Sequence, residues 1–293
     1  MTTIALLLLT GLGLGALYFL IAAGLSLIWG LMRVLNFAHG AFFTVAAYAG
    51  WVAANFAGGA PPEVRWLVGV LVAVAAGAVF ATLTEVLLIR PLYARHVGQV
   101  LVTVGLALAT ISLVQGGFGS DPQTFALPRW MTATTNVVGA GVPNTRLLVI
   151  AVAALVFALL LFFLRRTRFG LIVRAGVENR AMVQALGIDV QRAFTLVFAI
   201  GGAAAGLAGM LAATYYGTID PGRGTSMLIF AFIVVIIGGL GSVTGSAVAA
   251  VVVGVVQQFL NFYGAAGVGD FSVVLLLAIV LLIRPGGFSG TTT

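Results

Sequence analysis

The chain has 293 residues, of which 61% are hydrophobic and 7% are charged, and its formal net charge is +7 at pH 7. Soluble domains carry about 25% charged residues, so a soluble globular protein is excluded and lipid must solvate much of the surface. All 14 basic residues are arginine and no cysteine is present, which excludes disulfides, thiolate metal sites, lysine Schiff bases and the lysine-dependent P-loop of an ATPase.

Apolar runs follow one another along the whole chain, separated by short breaks that hold nearly all of the charge. A helix that crosses the roughly 30 Å hydrocarbon core of a bilayer needs about 20 such residues. We therefore predict an all-α membrane protein, a polytopic bundle of about 8–10 transmembrane helices with broken or re-entrant segments. Residues 1–293 are expected to form one transmembrane domain. The runs lie at 4–30, 38–57, 66–89, 98–117, 147–164, 194–214, 227–241, 245–262 and 272–283.

Polar residues interrupt the boundary between the first two runs. Asn36, Phe37, His39 and Gly40 lie there, and polar groups inside a membrane are the default candidates for function. Either they bind a substrate at a break in the helix, or they cap the second helix and satisfy the loop backbone. We predict that they line a translocation pathway.

Glu85 lies near the end of the third run and is followed by Arg90. The favoured interpretation is that this carboxylate pairs with a nearby arginine and reaches towards water, and a proton relay is the alternative. Gln257, Tyr215 and Tyr216 lie in the outer halves of their spans. Each either lines a pathway or anchors its helix at the interface.

The break at 165–192 is the most basic part of the chain, with six of the 14 arginines. Positively charged loops remain in the cytoplasm, so this break is predicted to be cytoplasmic in a multi-pass protein of the inner membrane. The other loops then alternate between the two sides, in agreement with their charge nearly everywhere. The same bias explains the net charge of +7 without a nucleic-acid partner, and membrane lipid is the expected partner.

Within this break, Val173–Asp189 predicts a short amphipathic helix. Glu178 and Asn179 lie near its start, where they suit the helix dipole, and Gly187 is placed to end it as a C-cap. The helix either fits a groove on a cytosolic partner or lies on the membrane surface. The residues predicted to share one face are Val177, Ala181, Gln184 and Ala185.

Glycine clusters occupy two of the later runs. Gly201 and Gly202 lie in one cluster, and small residues of this kind let membrane helices approach closely. The second cluster either packs helices in the same way or breaks a helix so that its end faces a cavity. Its members Gly238, Gly239 and Gly241, with the adjoining Ser242, complete the predicted translocation pathway.

Several short stretches, taken together and in this order, resemble the LivH-type permeases of branched-chain amino-acid ABC importers. The resemblance covers most of the chain. It is carried by Asn36–Gly40, Arg90–Leu92, Ala185–Ile188 with Arg192, Phe198–Gly202, Ile237–Ser242 and Arg284–Gly287.

The resemblance implies a type II-like ABC importer permease that translocates branched-chain amino acids. Its expected partners are a second, LivM-like permease or another copy of this chain, two cytosolic ATPases, and a periplasmic or lipid-anchored substrate-binding protein. The chain itself would hold no cofactor, because ATP belongs to the partner subunits. The resemblance also implies that a coupling helix contacts an ATPase through Glu178, Asn179, Arg180, Met182, Ala185, Leu186, Gly187 and Ile188.

Two alternatives stay open. The resemblance also covers permeases that move urea, short amides and other small carboxylates, so a solute of this kind is the first alternative substrate in the same type of importer. A stand-alone channel or carrier is the less favoured alternative. An intramembrane serine hydrolase fits poorly, because Gly241-Ser242 is preceded by Leu240 and does not complete the Gly-x-Ser-x-Gly pattern.

Overall fold

The computed structural model describes residues 2–93, 95–125, 127–187, 189–265 and 267–289, apart from the side chains at 177, 178, 180, 181 and 184. Each of the nine predicted apolar runs corresponds to a helix in it. The helices are α1 (Thr2–Met32), α2 (His39–Phe56), α3 (Pro62–Thr84), α4 (His96–Phe118), α5 (Arg129–Thr132), α6 (Asn144–Arg166), α7 (Arg168–Ala185), α8 (Val190–Tyr216), α9 (Arg223–Gly238), α10 (Val243–Tyr263) and α11 (Val268–Ile283).

Six of the helices in these ranges are long and apolar enough to cross a membrane, namely α1, α3, α4, α6, α8 and α10. The protein is therefore a multi-pass membrane protein, as its composition predicts. α3 continues through a π-helical turn, Glu85–Ile89, and a 3₁₀ turn, Arg90–Leu92. α9 and α11 are shorter apolar helices.

The connections lie at two ends of the bundle. The arginine-rich end has the α1–α2, α3–α4 and α9–α10 connections, together with α7 between α6 and α8. The opposite end has the α2–α3, α4–α6, α8–α9 and α10–α11 connections. There β1 (Gln123–Thr124) pairs with β4 (Thr218–Ile219), and β2 (Thr134–Val137) pairs with β3 (Ala140–Pro143), in both cases antiparallel.

α8 is packed on both sides through glycine. A Cβ atom on Gly202 would overlap the carbonyl oxygen of Gly77 in α3, and the Cβ position of Gly24 in α1 lies 2.6 Å from the carbonyl oxygen of Gly201. Such contact between backbones is what small residues permit in membrane helices. The predicted packing role of the first glycine cluster is thereby confirmed.

Candidate functional site

The first turns of α2 and α9 meet inside the bundle. α2 starts from the arginine-rich end and α9 from the opposite end, yet the Cβ position of Gly40 lies 2.6 Å from the carbonyl oxygen of Gly224. Both glycines are buried. Both helices must therefore begin part-way across the bundle, which confirms the predicted broken or re-entrant segments. We call residues 36–40 and 220–224 the helix-start junction.

The two helix starts use the same local turn. Asn36 Oδ1 accepts a hydrogen bond from the N–H of Ala38 at 3.1 Å, and Asp220 Oδ1 accepts one from the N–H of Gly222 at 2.7 Å. These side chains hold the chain as it turns into each helix. The positive ends of two helix dipoles consequently meet at the junction.

Asn36 and His39 are both fully buried. His39 Nε2 lies 3.1 Å from the carbonyl oxygen of Ile21, and because a carbonyl only accepts, Nε2 carries the proton of the neutral ring. His39 Nδ1 and Asn36 Nδ2 have no hydrogen-bond partner among the described protein groups. The junction thus offers one unused acceptor and one unused donor, and Phe37 packs beside them on Phe232 at a ring distance of 5.3 Å.

The second glycine cluster forms a turn between α9 and α10. Gly239 and Gly241 have φ angles of 96° and 88°, a region that glycine enters without steric cost. Ser242 Oγ accepts from the N–H of Gly245 at 3.0 Å and caps α10. Ser289 Oγ donates to the carbonyl oxygen of Gly238 at 2.9 Å.

This turn and the helix-start junction lie at different levels of α1. The Cβ position of Gly241 lies 2.9 Å from Cα of Gly30, whereas that of Gly24 lies 3.0 Å from the His39 ring. Six residues of helix correspond to about 9 Å. The structure therefore divides the predicted pathway residues into an inner group at the start of α2 and a turn at the arginine-rich end.

α7 consists of two helical pieces. Asn179 lies between them with φ −151° and ψ 92°, and its Oδ1 accepts from the N–H of Met182 at 3.0 Å. Gly187 follows the second piece with φ 76°, as the predicted C-cap requires. The expected start of the helix at Val173 was wrong, because the helical backbone begins at Arg168 and Asn179 interrupts it by accepting a local hydrogen bond.

The second piece of α7 exposes apolar side chains. Met182 is 62% exposed and Leu186 71% exposed, whereas Val183 between them is buried. Ala185 and Gly187 are exposed as well. The other predicted positions lie outside what the structure describes, namely the side chains of Val177, Glu178, Arg180, Ala181 and Gln184 and the whole of Ile188.

A buried carboxylate links α3 to α8 at the arginine-rich end. Arg90 Nη2 lies 3.1 Å from Glu85 Oε2, and Nε lies 3.3 Å from Oε1. Thr195 Oγ1 donates to Oε2 at 2.9 Å, and the Tyr93 hydroxyl donates to Oε1. Burial, and then the hydrogen bond to Glu85, raises the pKa of Tyr93, so its hydroxyl remains a donor.

The predicted pairing of Glu85 with an arginine is confirmed, but the predicted reach towards water is wrong. The Glu85 side chain is fully buried, and Arg90, with 35% exposure, reaches the surface instead. A groove of about 630 Å³ adjoins the cluster between α3, α7 and α8. Its lining residues are Thr82, Arg90, Phe169, Asp189, Gln191, Arg192, Thr195, Leu196 and Ala199.

The family described as "Branched-chain amino acid transport system / permease component" matches residues 7–284. The chain belongs to this family of permeases. No solved structure matches the chain.

Three relatives illustrate the breadth of this permease family. The chain is 28% identical to the high-affinity branched-chain amino acid transport permease LivH of Salmonella typhimurium, over 96% of this chain and 93% of the relative. It is 29% identical to BraD of Pseudomonas aeruginosa, over 97% and 94%. It is 27% identical to a probable LivH of Methanocaldococcus jannaschii, over 92% and 88%. The similarity therefore spans nearly the whole permease.

Sequence reasoning treated Gln257 by itself, and the structure places it between two groups that were not predicted. The Tyr18 hydroxyl donates to Gln257 Oε1 at 2.7 Å, and Gln257 Nε2 donates to Asp270 Oδ1 at 2.7 Å. Tyr18 and Gln257 are 239 positions apart. No local pattern in the sequence of this permease indicates that pairing.

Proposed function

We propose that this chain is the transmembrane permease subunit of an ABC importer for branched-chain amino acids, driven by ATP hydrolysis on separate cytosolic subunits. Family membership and the names of the relatives support this proposal. The chain lacks lysine, so a P-loop would have to be supplied by another subunit. A related permease or a second copy, two ATPases and a substrate-binding protein complete the proposed importer.

The proposed location is the inner membrane, with the arginine-rich end in the cytoplasm. Only four arginines belong to the opposite end, Arg65, Arg129, Arg146 and Arg223. The remaining ten lie at the arginine-rich end or directly after α11, and positive charge favours the cytoplasmic side. They are Arg33, Arg90, Arg95, Arg165, Arg166, Arg168, Arg174, Arg180, Arg192 and Arg284.

The observation that carries the coupling proposal is the exposed second piece of α7. Met182 and Leu186 expose apolar side chains at the arginine-rich end of the bundle, where burial against a partner protein would be favourable. The N-terminal cap at Asn179 and the positive φ of Gly187 give this piece defined ends. We infer that an ATPase subunit binds here and that residues 178–188 transmit its movement.

The proposed pathway for the substrate passes the helix-start junction. An apolar side chain suits the surrounding Phe37 and Phe232. The unused polar atoms of Asn36 and His39, together with the ends of two helix dipoles, would serve the polar groups of the substrate. The turn at Gly238–Ser242 is proposed to move with α9 and α10 as access alternates.

The test uses the whole importer. The tagged chain is co-expressed with its ATPase, partner permease and binding protein, purified, and reconstituted into vesicles for ATP-dependent uptake of L-leucine. Leu186→Glu places a charge on the proposed contact and is expected to lower both ATPase co-purification and uptake about ten-fold or more, as for a well-packed apolar contact at an interface.

Leu240→Glu is the matched control, since Leu240 is 48% exposed at the same end but lies in the α9–α10 turn. It should leave co-purification intact. Equal loss of ATPase co-purification in both variants would contradict the assignment of α7 as the docking segment. Uptake of leucine by the chain alone, without nucleotide, would instead favour a stand-alone channel or carrier.

A further inference from the structure

Two arginines and two tyrosines form a cluster at the opposite end of the bundle. The guanidinium carbon of Arg146 lies 3.2 Å from the ring centroid of Tyr215, and that of Arg223 lies 4.1 Å from the ring centroid of Tyr216. The two tyrosine rings are 4.9 Å apart and inclined at 66°. The starts of α6 and α9 are thereby joined to the end of α8.

The positive charge of this cluster is poorly compensated. Arg146 donates one hydrogen bond, to the carbonyl oxygen of Tyr215 at 2.8 Å, and no acidic side chain among the described residues forms an ion pair with it. Arg223 approaches Asp220 only at 4.0 Å. The Nε atoms of both arginines are buried and have no partner in the described part of the protein. A largely buried cation without a counter-ion is unfavourable, so an anion would complete this arrangement.

An acidic side chain, Asp270, also interacts electrostatically with Tyr216. Asp270 accepts a hydrogen bond from Gln257 at 2.7 Å, and within the described ranges no basic side chain pairs with it. Tyr216, which is 37% exposed, lies within electrostatic range of Arg223, Arg146 and Asp270. Positive and negative side chains therefore both act on one accessible aromatic ring.

We propose that this cluster binds the zwitterionic head of a free amino acid at the opposite end of the permease. The guanidinium groups of Arg146 and Arg223 bind the carboxylate, and Asp270 attracts the ammonium group. The inference rests on the proposed function in assuming that the substrate is an amino acid. It adds the residues that hold the substrate before it reaches the helix-start junction.

Because the chain has no native cysteine, a single introduced cysteine can report on the site. Thr218 lies beside Asp220 and Arg223 in a small cavity, so Thr218→Cys is introduced into the whole importer. The rate at which N-ethylmaleimide labels this chain is measured with L-leucine, with 4-methylpentanoate, which keeps the carboxylate, and with 3-methylbutylamine, which keeps the ammonium group.

Leucine should slow labelling at the lowest concentration, and each half-analogue should require about ten-fold more or higher, since each lacks one charged contact. In this reporter background Arg146→Gln should abolish protection by leucine and 4-methylpentanoate, and Arg146→Lys should restore part of it. Asp270→Asn, at an exposed side chain, should weaken protection by leucine and 3-methylbutylamine alone. Arg129→Gln, at an exposed arginine of the same end, should change nothing.

The proposal is overturned if no ligand slows labelling, or if leucine protects the Arg146→Gln and Arg129→Gln variants equally well. Uptake of leucine by the unaltered importer is measured in parallel. Uptake without protection would refute this site and leave the proposed function standing. Protection without ATP-driven uptake would refute the proposed function and leave the binding site standing.

Discussion

The Glu85–Arg90 pair is expected to respond unequally to loss of its two partners. Glu85 is fully buried, whereas Arg90 keeps 35% exposure. Arg90→Gln leaves a buried carboxylate without its cation, and breaking a buried pair in this way costs about 3–5 kcal/mol. Because Thr195 and Tyr93 still donate to the carboxylate, we expect a loss near the lower limit, about 3 kcal/mol.

Glu85→Gln should cost less. The Arg90 side chain can turn to water, and the glutamine oxygen can still accept, so the loss is that of charge-assisted hydrogen bonds, about 1–2 kcal/mol. The double variant buries no charge. It should be more stable than Arg90→Gln by about 1 kcal/mol or more, a coupling that independent sites would not show.

The thermal midpoint of the detergent-solubilised chain, followed by size-exclusion chromatography after heating, measures these differences at about 2–4 °C per kcal/mol. Arg192→Gln is the matched control. Arg192 pairs with Asp189 at 2.9 Å, but their side chains are 83% and 52% exposed, so its loss should cost under about 1 kcal/mol. A double variant no more stable than Arg90→Gln, or a control equally damaging, would refute this account of the cluster.

Two glycine substitutions separate backbone strain from helix packing. Gly187→Ala meets no atom within 4 Å but must adopt φ 76°, so it should strain the end of α7 by about 1 kcal/mol and reduce ATP-driven uptake. Gly116→Ala, in open helical space, should not reduce uptake. Equal uptake by the two variants would show that this backbone shape is dispensable. Gly202→Val forces α8 away from Gly77 and should destabilise the folded protein by about 3 kcal/mol or more, which a lower yield of folded protein would show. Gly105→Val, with nothing within 4 Å, should fold normally.

The sequence was sufficient to predict the number of apolar helices and the packing role of Gly201 and Gly202. Both depend on local composition, because a lipid-facing helix has to be apolar along its length and small residues mark close approach. The pairing of Glu85 with Arg90 was predictable for the same reason, since the residues are five positions apart.

The contact between Gly40 and Gly224 was not predictable in this way. It joins two helices that enter from opposite ends, and nothing within either segment specifies the depth at which they start. The break at Asn179 was missed because the surrounding pattern is helical, and a single side-chain hydrogen bond decides the backbone there. The Arg146–Tyr215 contact likewise depends on the tertiary arrangement of α6 and α8.

α8 connects the proposed ATPase-docking segment in α7 to the proposed amino-acid site at the opposite end of the bundle. Its first turns carry Thr195, which is bonded to Glu85 beside the docking segment, and its last turn carries Tyr215 and Tyr216 of the amino-acid site. With 27 residues the helix is about 40 Å long, and backbone contact with α1 and α3 along its middle leaves it little freedom to bend. A displacement of α7 would therefore reach Tyr216 as movement of a rigid rod. If so, Thr195→Val, which removes the bond between α8 and Glu85, should slow ATP-driven uptake more than it weakens the protection that leucine gives to the Thr218→Cys reporter.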